Sequence, residues 1–334
     1  MLSADVEPSP EPVKATRPIN FGRVLVALFL FVALYAVYAM VTGFAKLRAG
    51  LEVFHWSAFA AACGLAFGNY VLRFLKWEFY LAKLDIRGVK KVDSFLTFLS
   101  GFVLTVSPGK VGEVFKSLVL HDTYDVPMPK TAPIVVAERV TDLIGIIVLI
   151  VLGSLGFHGG LFVAGFGAAL VASLLVVIAS RSLSMRIIAF VSRLPGPFRK
   201  IGPKLEQAYE SLTILVAPKN LILPTLLSIG AWSLECLALW VILRGFGEQV
   251  SVTLCFFFYA TSTLAGAIIP VPGGLGVTEE GLREQMIQAG KVGAATSTAA
   301  MMLVRFATLW FAVLIGFLAL GALKLRHPKL LRAR

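Results

Sequence analysis

The sequence predicts an all-α integral membrane protein of about six transmembrane helices plus two re-entrant helical hairpins, arranged as an inverted repeat. Three observations carry this prediction. The 334 residues are 57% hydrophobic and only 15% charged, with a mean hydropathy of +0.84, whereas soluble domains carry about a quarter charged residues. The apolar residues fall in long blocks, near the ~20 residues that cross a bilayer. Two further apolar stretches are broken at their middle by Pro, Gly and charge: "PGKVGE" at 108–113, and "PVPGGLGVTEE", which ends at Glu280.

Residues 1–18 are polar and Pro-rich and read as a disordered cytoplasmic tail. The apolar run that follows is too long and begins too late for a signal peptide. Full spans are expected at 22–45, 56–81, 131–156, 159–180, 220–244 and 292–322, within one membrane domain over 19–325. Residues 326–334 form a basic cytoplasmic tail. Residues 93–120 and 251–286 each leave two arms around their break, too short for ordinary spans, and read as re-entrant hairpins.

Net charge is +12, and in a membrane chain its placement matters more than its size. Lys and Arg cluster at 73–91, 181–204 and the C-terminus. The positive-inside rule puts these regions in the cytoplasm, with both termini inside a cytoplasmic (inner) membrane. Four full spans in place of the hairpins would orient the chain the same way; the Pro and Gly content favours hairpins. The segment 181–215 reads as one or two interfacial amphipathic helices broken at Pro195, Gly196 and Pro197, or equally as a solvated linker that obeys the charge rule. The positive charge belongs to this topology, and no nucleic-acid partner is expected.

The two breaks align. Pro108, Gly109 and Gly112 match Pro272, Gly273 and Gly276, with Pro270 and Gly274 adding to the second break. Acidic residues follow, Glu113 in one copy and Glu279 and Glu280 in the other. An arginine comes 31 residues after the proline in the first copy (Arg139) and 33 in the second (Arg305). Repeat A thus covers 56–156 and repeat B 220–322. The linker span and amphipathic segment, 159–215, invert one repeat against the other. Such repeats, with helices broken near the midplane, typify secondary transporters.

An ionisable residue within a span costs about 2.5–3.5 kcal/mol on insertion scales and is usually retained for a task. Glu138, Arg139 and Asp142 share one helix face, and Glu113 and Lys116 are one turn apart. Arg305 is expected to meet Glu279, Glu280 or an anionic group. Lys110, Arg139 and Arg305, beside helix N-termini, suit a phosphate headgroup. The substrate-binding set is therefore Lys110, Glu113, Lys116, Glu138, Arg139, Asp142, Glu279, Glu280 and Arg305, the alternative being that these charges only pair with one another to pin hairpins to spans. Asn69 and Arg73 are further cavity candidates, while Lys76 and Trp77 read as interface anchors.

No enzyme is expected. The four histidines form no metal-binding pair, and the chain contains no G-x-S-x-G elbow. The glutamate pair in "EEGLRE" lacks the histidines that an intramembrane protease would add, although a Glu/Arg-based intramembrane transferase stays open. Cys63, Cys236 and Cys255 stand singly in apolar segments and read as core residues, with neither disulfide nor metal, and no cofactor is called for.

"PGKVGEVFKS", "AERVTD" and "PVPGGLGVTEEGL" together resemble the transmembrane flippase region of lysylphosphatidylglycerol synthases. The resemblance covers 22–325 and implies lipid translocation between leaflets. The aminoacyltransferase domain of the full synthases is not expected here, so the chain reads as a stand-alone member. Membrane lipids (a phospholipid, an aminoacylated lipid, a hopanoid or a polyprenyl-linked lipid) are the expected partners, with a separate lipid-synthesising enzyme and a homodimer as further options. The alternatives are a small-solute or ion transporter and a non-catalytic partner of a lipid-modifying enzyme.

Overall fold

The computed structural model describes residue 52 and residues 54–107, 113–154, 160–193, 202–269, 271–328 and 330. The expected first span, the N-terminal tail, Pro108, Gly109, Lys110, Gly112, Pro270, the interruption at 195–197 and residues 331–334 lie outside the described residues. Within them the chain is helical and has no strand.

Among the described residues three helices are long and apolar enough to cross a membrane: α1 (Trp56–Lys83), α8 (Pro218–Gly245) and α11 (Ala294–Arg326). Two more fall on expected spans, α4 (Pro133–Gly153) and α5 (Gly160–Ala179). The basic stretch folds as α6 (Arg181–Arg193) and α7 (Gly202–Leu215). Short helices flank each break. α2 (Lys91–Ser100) runs into a 3-10 turn at Gly101–Leu104, and α3 (Phe115–Tyr124) follows the first break. α9 (Val252–Ile268) and α10 (Val277–Gln288) flank the second. At 1.5 Å per residue, the ten residues of α2 extend only about 15 Å.

Local chemistry sets these ends. The Ser251 hydroxyl accepts the Leu254 N–H (3.3 Å) and caps α9. That helix stops at Ile268, just ahead of Pro270, because a residue before proline is pushed out of the helical region. In α11 the regular winding is interrupted by a π turn at Phe306–Trp310, directly after Arg305.

The bundle is held by close helix contacts. α1 packs along α8, and α4 packs against both α8 and α9. Gly153 of α4 lies so near α9 that a Cβ there would sit 2.6 Å from the Phe257 nitrogen. Gly316 of α11 meets the turn after α2 as closely, 2.7 Å from the Val103 nitrogen. Small residues at helix crossings are how membrane helices gain packing, since lipid offers no hydrophobic drive between them.

The distribution of polarity is turned inside out. Phe67, Val71 and Leu75 on α1, Ile222, Leu223 and Leu226 on α8, and Leu314 and Leu318 on α11 are exposed. Arg73, Lys76, Lys116, Glu138, Asp142 and Glu279 are buried. Two apolar cores bracket these charges. On α4, Ile134 and Ala137 belong to one core and Ile146, Leu149 and Ile150 to the other, with Glu138, Arg139 and Asp142 between them. On α11, Val304 and Ala307 join the second core and Ala312 and Ala319 the first.

Candidate functional site

A cavity of about 410 Å³ lies in this polar layer. Thr105 and Ser107 line it at the edge of the first break, and Gly273, Gly274 and Thr278 at the second. Three arginines from three helices face it: Arg73 from α1, Arg139 from α4 and Arg305 from α11.

One side of the site is a lattice centred on Asp142. Its Oδ2 accepts from Arg73 Nη2 at 2.7 Å and lies 3.2 Å from Arg139 Nη2. Its Oδ1 accepts from Lys76 Nζ at 2.6 Å and from the Ser228 hydroxyl at 2.9 Å. Lys76 also reaches Thr141 Oγ1 and Ser228 Oγ, at 3.3 and 2.8 Å, so its three protons are all engaged. Arg139 Nη2 also reaches Glu113 Oε2 at 3.1 Å, and Arg139 Nε has no protein partner. The Arg73 guanidinium lies 5.7 Å from the centre of the Trp232 ring.

The other side is sparser. Arg305 Nε donates to Glu279 Oε1 at 2.6 Å, and its Nη2 to the Gly273 carbonyl at 3.1 Å. Gly273, Gly274 and Gly276 have φ of 63°, 69° and 83°, a region that L side chains rarely enter, so the break needs glycine there. At the third position of α10, Glu279 accepts the Gly276 N–H through Oε2 at 2.7 Å, tying the helix start to Arg305. Tyr259 of α9 donates to Glu235 Oε2 at 2.7 Å and lies 3.2 Å from Thr308 Oγ1.

Arg139 and Arg305 thus meet at one cavity, with Glu113, Asp142 and Glu279 as their carboxylate partners. Lys116 and Glu138 stand apart from the cavity lining. They pair with each other at 2.6 Å, and Lys116 lies over the Trp77 ring, so the helical neighbours Glu113 and Lys116 serve different partners. Glu280 points away: it is exposed and pairs with Arg283 at 2.7 Å, because adjacent positions on a helix are about 100° apart. The interface-anchor reading of Lys76 and Trp77 is corrected, since both side chains are fully buried. α1 continues to Lys83, which places position 76 almost two turns inside the helix end.

Sequence reasoning missed Glu235, Tyr259, Tyr70 and Thr308. Glu235 carried a usable signal: it is the one acidic residue in the apolar run of α8. The hydroxyls carried none, because Tyr and Thr are ordinary in apolar helices.

Fold and site together define a multi-pass α-helical membrane protein with an arginine-lined cavity inside its bundle. The chain belongs to the family of the lysylphosphatidylglycerol synthase TM region, whose family model matches residues 22–316. It is similar to a UPF0104 membrane protein of Pyrococcus horikoshii, 22% identical over 285 residues, which cover 77% of this chain and 83% of that one. A UPF0104 membrane protein of Methanothermobacter thermautotrophicus is 23% identical over 295 residues, covering 78% of this chain and 82% of the relative.

Proposed function

We propose that the protein is a lipid transporter that moves a phosphate-bearing lipid between leaflets, its headgroup passing through the arginine-lined cavity while its tails stay in the bilayer. The observation that carries this reading is the convergence of Arg73, Arg139 and Arg305 on one cavity of about 410 Å³ inside an apolar bundle. Guanidinium groups offer planar pairs of donors that match phosphate oxygens. Their carboxylate partners keep them folded in place when no headgroup is bound, at a cost that a mobile phosphate can match.

In this reading the two broken segments are re-entrant hairpins, related by the inverted repeat, that enter from opposite faces and meet at the cavity. Both termini lie in the cytoplasm, and the membrane is the cytoplasmic one. The protein carries out no covalent chemistry, and a separate enzyme makes the lipid it moves.

The test is translocation in proteoliposomes with labelled phosphatidylglycerol, aminoacylated lipid, hopanoid and polyprenyl phosphate, comparing wild type with Arg139→Gln and Arg305→Gln. Movement of a phosphate-bearing class, reduced at least ~10-fold by either substitution, is expected. No movement of any class by folded protein overturns the reading. Cysteines at positions 110 and 271 should label from opposite faces, and labelling of both from one face alone rules out inverted hairpins.

A further inference from the structure

Six carboxylates are buried among the described residues: Asp93, Glu113, Glu138, Asp142, Glu235 and Glu279. Five have a basic side chain within 3.2 Å. Glu235 alone has none. It accepts a hydrogen bond from the Tyr259 hydroxyl, and it lines the cavity that the three arginines share.

Setting aside Asp93, which pairs with Arg326 at the bundle's edge, the buried charges of the described residues balance. Five cations (Arg73, Lys76, Lys116, Arg139 and Arg305) stand with five carboxylates (Glu113, Glu138, Asp142, Glu235 and Glu279). Four of the carboxylates are held by those cations. Among the described residues the balance therefore depends on the ionisation of Glu235, and an arriving phosphodiester adds one negative charge to this low-dielectric layer. The group whose neutralisation restores the balance without breaking an ion pair is Glu235.

We infer that Glu235 is the proton-coupling residue of the protein, taking up one proton when a phosphodiester anion enters the cavity and releasing it when the anion leaves. The inference rests on the phosphate-transport reading and adds its energy source. The bookkeeping is closed: the carboxylate gains a proton from the side to which the cavity is open and becomes a carboxylic acid. The anion and the proton cross together, so no net charge moves. The proton then leaves to the opposite side and the carboxylate re-forms.

The surroundings suit this. A nearby anion favours the neutral form of a carboxyl, and intramembrane carboxyls commonly carry protons in transporters. The groups facing the same cavity are Tyr70 and Arg73 from α1, Arg139 from α4, Tyr259 from α9 and Arg305 from α11. Lys76 and Asp142 lie on α1 and α4 but are engaged with one another and with Ser228. Cys63 of α1 and Cys255 of α9 belong to the apolar core that α8 helps to form. The arginines are permanently charged and the tyrosines do not exchange near neutral pH, which leaves Glu235 to follow the cargo.

The test uses the full chain in phosphatidylcholine nanodiscs, in weakly buffered solution with a pH indicator. Glycerophosphoglycerol and dihexanoyl phosphatidylglycerol are the probes, both phosphodiesters that do not themselves titrate near neutrality. Wild type should take up about one proton per probe bound, with affinity falling up to ~10-fold per pH unit through the coupled range. Uptake with both probes assigns the coupling to any phosphodiester, and uptake with the lipid alone assigns it to lipid cargo. Glu235→Gln, a mimic of the protonated state, should bind without uptake and without pH dependence. Tyr259→Phe, which keeps the carboxylate but removes its donor, should bind with uptake that persists to higher pH, and it decides the matter if Glu235→Gln does not fold. Binding by wild type without proton uptake, unchanged uptake in Glu235→Gln, or an unmoved pH range in Tyr259→Phe overturns the coupling. Absence of binding by wild type overturns the phosphate site, and the coupling with it.

Discussion

The two halves of the polar layer solve the same problem differently. Around Asp142 three helices, α1, α4 and α8, contribute to a crowded lattice, in which one carboxylate serves three cations. Around Arg305 the described residues supply an ion pair with Glu279, the Gly273 carbonyl and a glycine-rich turn. The dense half joins helices that are far apart in sequence, and every donor of Lys76 is occupied. In the sparse half Arg305 meets Glu279 and Gly273 within one stretch of chain. A single Tyr259 hydroxyl links that side to Glu235 of α8 and Thr308 of α11, so fewer contacts oppose its rearrangement. One half is built to hold and the other to yield.

The largest expected effect breaks the dense half. Asp142→Ala strands Arg73 and Lys76 in the interior, and loss of one partner of a buried pair costs roughly 3–5 kcal/mol. Denaturation in detergent should show this, and a loss below ~1 kcal/mol would mean that the lattice is not structural. Glu279→Ala should cost less, about 1–3 kcal/mol, because Arg305 keeps the Gly273 carbonyl and faces the cavity.

Gly153→Ala should come next, at about 1–3 kcal/mol, by forcing α4 away from α9. It sharpens the comparison because it shifts the helix bearing the dense half against the one that leads into the sparse break. Unfolding midpoint and translocation should fall together. Arg305→Lys keeps the charge but loses the fork that spans Glu279 and Gly273. Stability should change by only about 0.5–1.5 kcal/mol, whereas translocation should fall at least ~10-fold in the proteoliposome assay. A variant with wild-type transport would show that charge alone suffices there.

The smallest effect lies outside both halves, where α2 begins. Burial raises the Asp93 carboxyl, but hydrogen bonds from Tyr124, Arg326 and His327 and the charge of Arg326 outweigh this and hold it at about 2. A carboxyl lowered on folding stabilises fully above its unfolded value of about 3.9, and that contribution fades as pH falls through about 2. The unfolding midpoint should therefore drop between these limits, and the part of that drop due to Asp93 should be missing from Asp93→Asn.

Much of the helix pattern was legible because apolar blocks of 20 or more residues admit few other readings. Arg139, Arg305 and Glu279 were legible for a related reason: a charge in an apolar run stands out. What the sequence hid was direction. Glu279 and Glu280 are chemically identical neighbours, and only the helix phase set by the glycine turn sends one inward and the other out. Lys76 sits close enough to a basic cluster to pass for part of it, and the length of α1 decides otherwise. The Tyr259–Glu235 contact joins two helices, through residues 24 apart in sequence, by a hydroxyl that leaves no charge signature.

The π turn at Phe306–Trp310 has a consequence for how α11 is keyed to its neighbours. A π turn amounts to one residue inserted into an α-helix. The segment carrying Arg305 and the segment carrying Gly316 are thus registered separately, one to the cavity and the other to the turn after α2. Winding the same residues as regular α-helix, with none removed, would swing one segment by about 100° against the other. The helix would then fit its lock at either end, but never at both.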